Sequence, residues 1–66
     1  MSIAKVTEIT SNSNKSFEDA IEDGIKRANK SLKNVTGAWI ADQKVTVEDG
    51  KISGYQVRMK ITFVLE

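Results

Sequence analysis

The segment Lys51–Glu66, KISGYQVRMKITFVLE, decides how this chain folds. From residue 55 onward its odd-numbered positions are apolar: Tyr55, Val57, Met59, Ile61, Phe63 and Leu65. The even positions are polar or basic apart from one apolar residue, Val64: Gln56, Arg58, Lys60 and Thr62. Because successive side chains of a strand point to opposite faces, this pattern predicts a long strand with one apolar face and one polar, basic face. The rest of the chain has to cover the apolar face, and we expect the function to lie on the polar one.

The residues before this segment predict a hairpin. Asp49-Gly50 is a strong signal for a tight turn. Upstream of it, β-branched and aromatic residues return between Val35 and Val47, and we predict a second strand from about Ala38 to Val47.

One amphipathic helix is predicted from Phe17 to about Lys33. Ser16 stands three residues before Asp19, close to a capping box, and acidic residues come early while basic ones come late. The apolar positions recur at helical spacing: Phe17, Ala20, Ile21, Gly24, Ile25, Ala28 and Leu32. Gly24 on this face indicates a close approach of the helix to a strand. Asn34 is the predicted stop, in a left-handed conformation.

A first strand is predicted over Ile3–Thr10, followed by a loop of turn-forming residues over Ser11–Lys15. The element order is therefore β-α-β-β. A right-handed crossover makes strands one and two run the same way, and the hairpin makes strand three antiparallel to strand two. The most regular strand belongs in the centre. We predict an α+β fold over residues 1–66, one domain with a three-stranded antiparallel-type sheet in the order 1-3-2 and one helix on one face.

Length and composition bear on function. Sixty-six residues bury little surface, and the chain has no Cys and no His, so thiolate and histidine metal sites, disulfides and the commonest general base are absent. We therefore expect no enzyme, no catalytic residue and no such metal site, and we expect oligomerisation to stabilise the fold. The net charge of +1 gives no general case for nucleic acid or an anionic membrane. The N-terminal residues show no secretion signal, which predicts a cytoplasmic location.

Two residues suggest a binding function. Trp39 is the only tryptophan, and Gln56 is the first polar residue on the polar face of strand three. A ring that stacks and an amide that donates and accepts hydrogen bonds suit a planar heteroaromatic ligand. The residue types alone favour the other interpretation, with Trp39 in core or interface packing and Gln56 in solvent.

The chain resembles the dodecins, small flavin-binding proteins, along its whole length. The matching residues fall in every predicted element: Lys5-Val6, Glu8-Ile9, Ser16–Ala20, Ile25–Ala28, Asn34, Asp42-Gln43, Gly50–Ile52, Tyr55–Val57, Phe63 and Leu65-Glu66. The resemblance implies a sheet partly wrapped around its helix, a hollow homo-dodecamer, and paired flavins (riboflavin, FMN or FAD) at the junctions between subunits. It also implies that Gln56 hydrogen-bonds the polar edge of the flavin.

At the position of the family's stacking tryptophan the chain departs from the pattern. Counting without gaps from Asn34, that position is Gly37, and Trp39 follows two residues later. Three outcomes are open. A bulge or an altered helix exit returns Trp39 to the usual stacking position, or the ligand binds in a shifted pose that occupies the space above Gly37. In the third, flavin binding is lost while the shell still assembles.

We expect the protein to store flavin with weakened affinity and to quench the excited state of the flavin. The candidate flavin contacts are Trp39, Gln56, Gly37 and Arg58. The alternative is a dodecin-like structural shell that binds another small ligand or a metal, with Arg58 and Lys60 available to line its pores. Tyr55, Arg58 and Lys60 fall short of the basic stripe that nucleic-acid binding needs.

Overall fold

The computed structural model describes residues 2–65. Its elements are β1 (Ile3–Ser13), α1 (Phe17–Ser31), β2 (Val35–Glu48) and β3 (Lys51–Leu65). The strands form one sheet in the order β1-β3-β2, and β3 is antiparallel to both neighbours. This confirms the predicted β-α-β-β order and the central place of the last strand. Glu66, which the sequence includes in that strand, lies outside the described residues.

The core lies between α1 and the apolar face of β3. Val57, Met59 and Ile61 are fully buried, and Ala20 and Ala28 of the helix pack against them. These three are among the six odd-numbered positions that the alternation assigned to the apolar face; Tyr55 and Phe63 are partly buried, and Leu65 is exposed. Phe17 adds an edge-to-face contact with Tyr55, with ring centroids 5.1 Å apart, at the start of the helix.

The first strand is longer than the sequence predicted. The segment Ser11–Ser13, which we expected in a loop, continues β1 because Asn12 pairs with Gln56 and Ser13 with Tyr55 on the long central strand. Ladder hydrogen bonds thus override the turn preference of these small polar residues. The Ser13 hydroxyl then accepts from the Lys15 backbone N–H at 2.9 Å and donates to the Asp19 carboxylate at 2.7 Å.

The helix begins as predicted and ends earlier. The Ser16 hydroxyl accepts the Asp19 backbone N–H at 2.9 Å, which confirms the N-cap. The helix ends at Ser31 and not at Lys33, because Leu32 already has extended backbone angles. Asn34 has the predicted left-handed conformation, with a φ of 61°, but it lies two residues beyond the cap residue Leu32 and is not the helix stop.

Strand β2 covers Val35–Glu48 and is therefore longer than the predicted Ala38–Val47. Its pairing with β3 shifts between Val35 and Gly37 and again between Ile40 and Asp42, so that Thr36 and Ala41 are extra residues in the strand. The hairpin turn has positive φ at both central residues, 52° at Asp49 and 74° at Gly50, as the Asp-Gly signal predicted.

The helix is too short to cover the sheet. A 15-residue helix is about 22 Å long, whereas a 15-residue strand is about 50 Å long. The chain accordingly measures 51 × 19 × 13 Å. It exposes 5042 Å², compared with about 4,200 Å² for a compact monomer of its mass. Among residues 2–65, eight large apolar side chains are exposed: Ile3, Val6, Ile25, Trp39, Ile40, Val47, Ile52 and Leu65.

Candidate functional site

The face of the sheet that points away from α1, called the open face here, carries all the predicted site residues. Its rows run across the three strands in the order β1, β3, β2, and neighbouring rows are about 7 Å apart. From the hairpin end the rows are Asn12–Gln56–Lys44, Thr10–Arg58–Asp42, Glu8–Lys60–Trp39 and Val6–Thr62–Gly37. The extra residue Ala41 decides this arrangement, since without it Asp42 would face the helix.

Gln56 lies in the first of these rows. Its side-chain N–H donates to the Asn12 side-chain oxygen at 3.0 Å. An amide has a second N–H and a carbonyl oxygen, and these remain for the polar edge of a ligand. The sequence pointed to Gln56 but missed Asn12, because it placed Asn12 in a loop; the pairing with β3 is what brings the two amides together.

Arg58 occupies the centre of the open face and is held from both sides. Its Nη2 lies 2.5 Å from the Asp42 carboxylate on β2, and its Nε lies 3.5 Å from the Glu8 carboxylate on β1. Half of the Arg58 side chain is exposed. A cleft of about 340 Å³ lies over this region and is lined by Thr10, Asp42, Lys44, Gln56 and Arg58, among others. Arg58 therefore joins the three strands electrostatically and also faces the cleft.

Trp39 stands one row further along, opposite Lys60. The indole is 69 % exposed, which is high for the largest apolar side chain in the chain. It lines a second cleft, of about 500 Å³, together with Val6, Ile40, Ala41 and Lys60. Packing within this chain therefore does not account for Trp39, and its ring is available to a ligand or to another chain.

Gly37 is on the same face as Trp39, one row beyond it. A Cβ placed on Gly37 would meet no atom within 4 Å, and its φ is not positive. Neither backbone conformation nor crowding within the chain thus requires a glycine here. A glycine inside a strand weakens it, and often marks a place where a ligand or another backbone approaches closely.

A single chain does not bring all these residues together. Gln56 is two rows from Trp39, about 13 Å, and three rows from Gly37, about 20 Å. No shift of the pairing lies between Gly37 and Trp39, so the two remain about 7 Å apart along β2. The four candidate residues share one face, with Arg58 between Gln56 and Trp39. One chain alone cannot place residues from both ends of this face around a single ring.

A metal-binding cluster and a membrane-spanning helix are both absent from residues 2–65. No group of three Asp or Glu side chains lies close enough together to hold a metal ion. No helix in this part of the chain has both the length and the apolar character needed to cross a membrane.

Comparisons with known proteins identify the family. Residues 3–66 match the family model described as Dodecin. The fold is similar to that of a dodecin from Streptomyces davaonensis, with a TM-score of 0.93 and 32 % identity over 98 % of this chain and 96 % of that one. The tt0972 protein from Thermus thermophilus gives a TM-score of 0.93 at 26 % identity, over 100 % of this chain and 97 % of that one.

A third similar structure is the calcium dodecin from Mycobacterium tuberculosis, described as a calcium-chelating immunodominant antigen with a novel calcium-binding site. Its TM-score is 0.82 at 28 % identity, over 97 % of this chain and 91 % of that one. A comparison with curated proteins found no match. The family match along almost the whole sequence, with the same fold at high TM-scores, establishes that this chain belongs to the dodecin family.

Proposed function

We propose that this chain is a flavin-binding storage protein that assembles as a hollow homo-dodecamer, residues 1–66 forming one dodecin-like domain. The observation that carries the proposal is the exposed Trp39, on the same open face as Gln56, in a chain of the dodecin family. Flavin binding is typical of dodecins, and they act in storage rather than catalysis. We assign no catalytic residue.

Assembly is supported by what the single chain leaves uncovered. The helix covers less than half the length of the sheet, and the outer edges of β1 and β2 have no partner strand among residues 2–65. Unpaired edges and exposed apolar side chains favour association with further copies. Homo-oligomers satisfy such surfaces with symmetry-related copies of the same chain.

The residues of the open face fit a flavin chemically. An isoalloxazine ring offers a flat aromatic surface and a polar edge with donors and acceptors, and these match the exposed indole of Trp39 and the amide of Gln56. The open space above Gly37 leaves room for part of the ring. When bound, a flavin supplies a light-absorbing, redox-active ring; in a storage protein the role of the chain is to hold that ring and limit its photochemistry.

Each of the four residues has a proposed role. Trp39 stacks on the ring and quenches its excited state. Gln56 hydrogen-bonds the polar edge, and because it lies about 13 Å from Trp39, we propose that Trp39 and Gln56 from different subunits complete one site. Arg58, which pairs with Glu8 and Asp42, holds the three strands together next to Gln56. Gly37 leaves space for part of the flavin ring.

The test is a titration of riboflavin and FMN into the purified protein, followed by flavin fluorescence, with the assembly checked by native mass spectrometry. We expect saturable quenching in a species of about twelve chains of 7.3 kDa. Trp39→Ala should weaken the affinity by about 1–3 kcal/mol, a factor of about 5–150 in Kd. Trp39→Phe should keep part of the affinity, since it keeps a ring.

Tyr55→Phe is the matched control. Tyr55 is next to Gln56 in sequence but faces α1, where its ring contacts Phe17, so loss of its hydroxyl should leave flavin quenching unchanged. If an intact assembly of the wild-type protein quenches neither flavin, the storage proposal fails.

The second candidate is a dodecin-like shell that binds a metal or another small ligand in place of flavin. The similarity to a calcium dodecin is the observation in its favour. Because no cluster of three carboxylates occurs within residues 2–65, such a site would need ligands from several subunits. Isothermal titration of calcium into the assembled, flavin-free protein tests it, and the absence of a heat of binding would exclude calcium.

A further inference from the structure

The cleft at Trp39 contains a cation that the storage proposal does not use. Lys60 lies directly opposite Trp39 in the pairing of β2 with β3, on the open face, and both side chains line the same cleft of about 500 Å³. Val6 of β1 closes another side of it and is half exposed. The cleft thus combines an aromatic surface, an apolar wall and an ammonium group.

The charges of the open face leave Lys60 without a carboxylate partner within residues 2–65. Its cross-strand neighbour on β1 is Glu8, but the Glu8 carboxylate lies 3.5 Å from Arg58 Nε. Asp42, the carboxylate on the other side of Arg58, contacts Arg58 Nη2. Both ion pairs of the described chain therefore belong to Arg58, and the charge of Lys60 is available to an anion.

We propose that Lys60 binds the phosphate of a flavin whose ring stacks on Trp39, so that this protein prefers phosphorylated flavins (FMN or FAD) to riboflavin. The inference rests on the proposed flavin binding and adds its specificity. A phosphate presents charged oxygen acceptors, and an ammonium forms charge-assisted hydrogen bonds with them. Riboflavin carries the same ring and a neutral chain, so it lacks the charge-assisted bonds between a phosphate and Lys60.

The experiment compares riboflavin, FMN and FAD by fluorescence quenching with the assembled protein at low salt. The quantity measured is the ratio of the riboflavin Kd to the FMN Kd. We expect Lys60→Met, which keeps the apolar part of the side chain, to lower this ratio by about three- to tenfold, mainly by raising the FMN Kd. Lys60→Arg should keep the preference. In the wild-type protein the ratio should fall towards one as added salt screens the charge.

Two lysine variants serve as controls. Lys5→Met removes a charge from the opposite face of the sheet, where Lys5 pairs with Phe63, and should leave the ratio as in the wild type. Lys44→Met removes another lysine of the open face, beside Gln56. If Lys44→Met lowers the ratio and Lys60→Met does not, the phosphate lies at the Gln56 end and the inference is wrong.

The remaining outcomes separate the inference from the storage proposal. Equal binding of riboflavin and FMN, with no change in Lys60→Met, overturns the inference and leaves flavin storage standing. An FAD Kd that is lower than the riboflavin Kd and rises in Lys60→Met supports the inference, because FAD carries the same first phosphate as FMN. If the intact wild-type assembly binds none of the three flavins, both proposals fail. Native mass spectrometry of each variant shows that a changed ratio comes from an assembled protein.

Discussion

Replacing Gly24 with alanine tests how closely the helix approaches the sheet. The sequence indicated such an approach from a glycine on the apolar face of the helix, and the structure agrees. A Cβ on Gly24 would lie 2.4 Å from Met59 Cε and 3.1 Å from Ser11 Cβ. Met59 is fully buried, and its terminal methyl has to move within the core to make room for the new Cβ. The two nearest atoms belong to two different strands, β3 and β1.

Two opposing contributions determine the magnitude. Alanine improves helix propensity by about 1 kcal/mol relative to glycine. An extra methyl in a filled core costs about 1–3 kcal/mol. We therefore expect a net loss of about 1 kcal/mol in the free energy of unfolding, which lowers the Tm of a domain of this size by about 4–8 °C.

The assay is thermal unfolding followed by circular dichroism, at equal protein concentration because assembly adds to stability. Met59→Leu lacks the clashing methyl group and keeps an apolar side chain. Combined with Gly24→Ala, it should recover part of the loss, a positive coupling in the double-mutant cycle. A Tm equal to or above that of the wild type for Gly24→Ala alone would refute the argument from close approach.

Three further substitutions have outcomes that differ in kind. Gly37→Ala should raise the unfolding free energy of the flavin-free protein by about 0.5–1 kcal/mol, since its Cβ meets no atom of the chain, and weaken flavin affinity; unchanged affinity would show that no ligand approaches there. Gly50→Ala places a Cβ at a φ of 74° and should destabilise the hairpin by about 1 kcal/mol in denaturant unfolding; a neutral result would contradict the positive φ. Arg58→Met should cost no more than about 1 kcal/mol, because both ion pairs are half exposed, and the difference from wild type should shrink in high salt; a loss independent of salt would point to packing.

The sequence by itself determined the element order, the central strand, its buried residues and the family. The elements and the core follow from local information: a period of two along β3, a period of 3.6 along the helix, a serine N-cap and an Asp-Gly turn. The family followed from matching residues along the whole chain. The sequence also pointed to Gln56 and Trp39 as candidate ligand contacts, but only the register of the paired strands places them on one face. The flavin-related roles of these residues remain proposals that the experiments above address.

The tertiary structure decided what depends on contacts across strands. Ser11–Ser13 look like a loop and are a strand, because the long β3 provides hydrogen-bonding partners for them. The extra residue Ala41 places Asp42 beside Arg58, and no local pattern of β2 shows where a ladder slips by one residue. The same register places Lys60 opposite Trp39, while the carboxylates of Glu8 and Asp42 both pair with Arg58. Register is a property of strand pairs, and therefore the candidate phosphate site became visible only once the strands were paired.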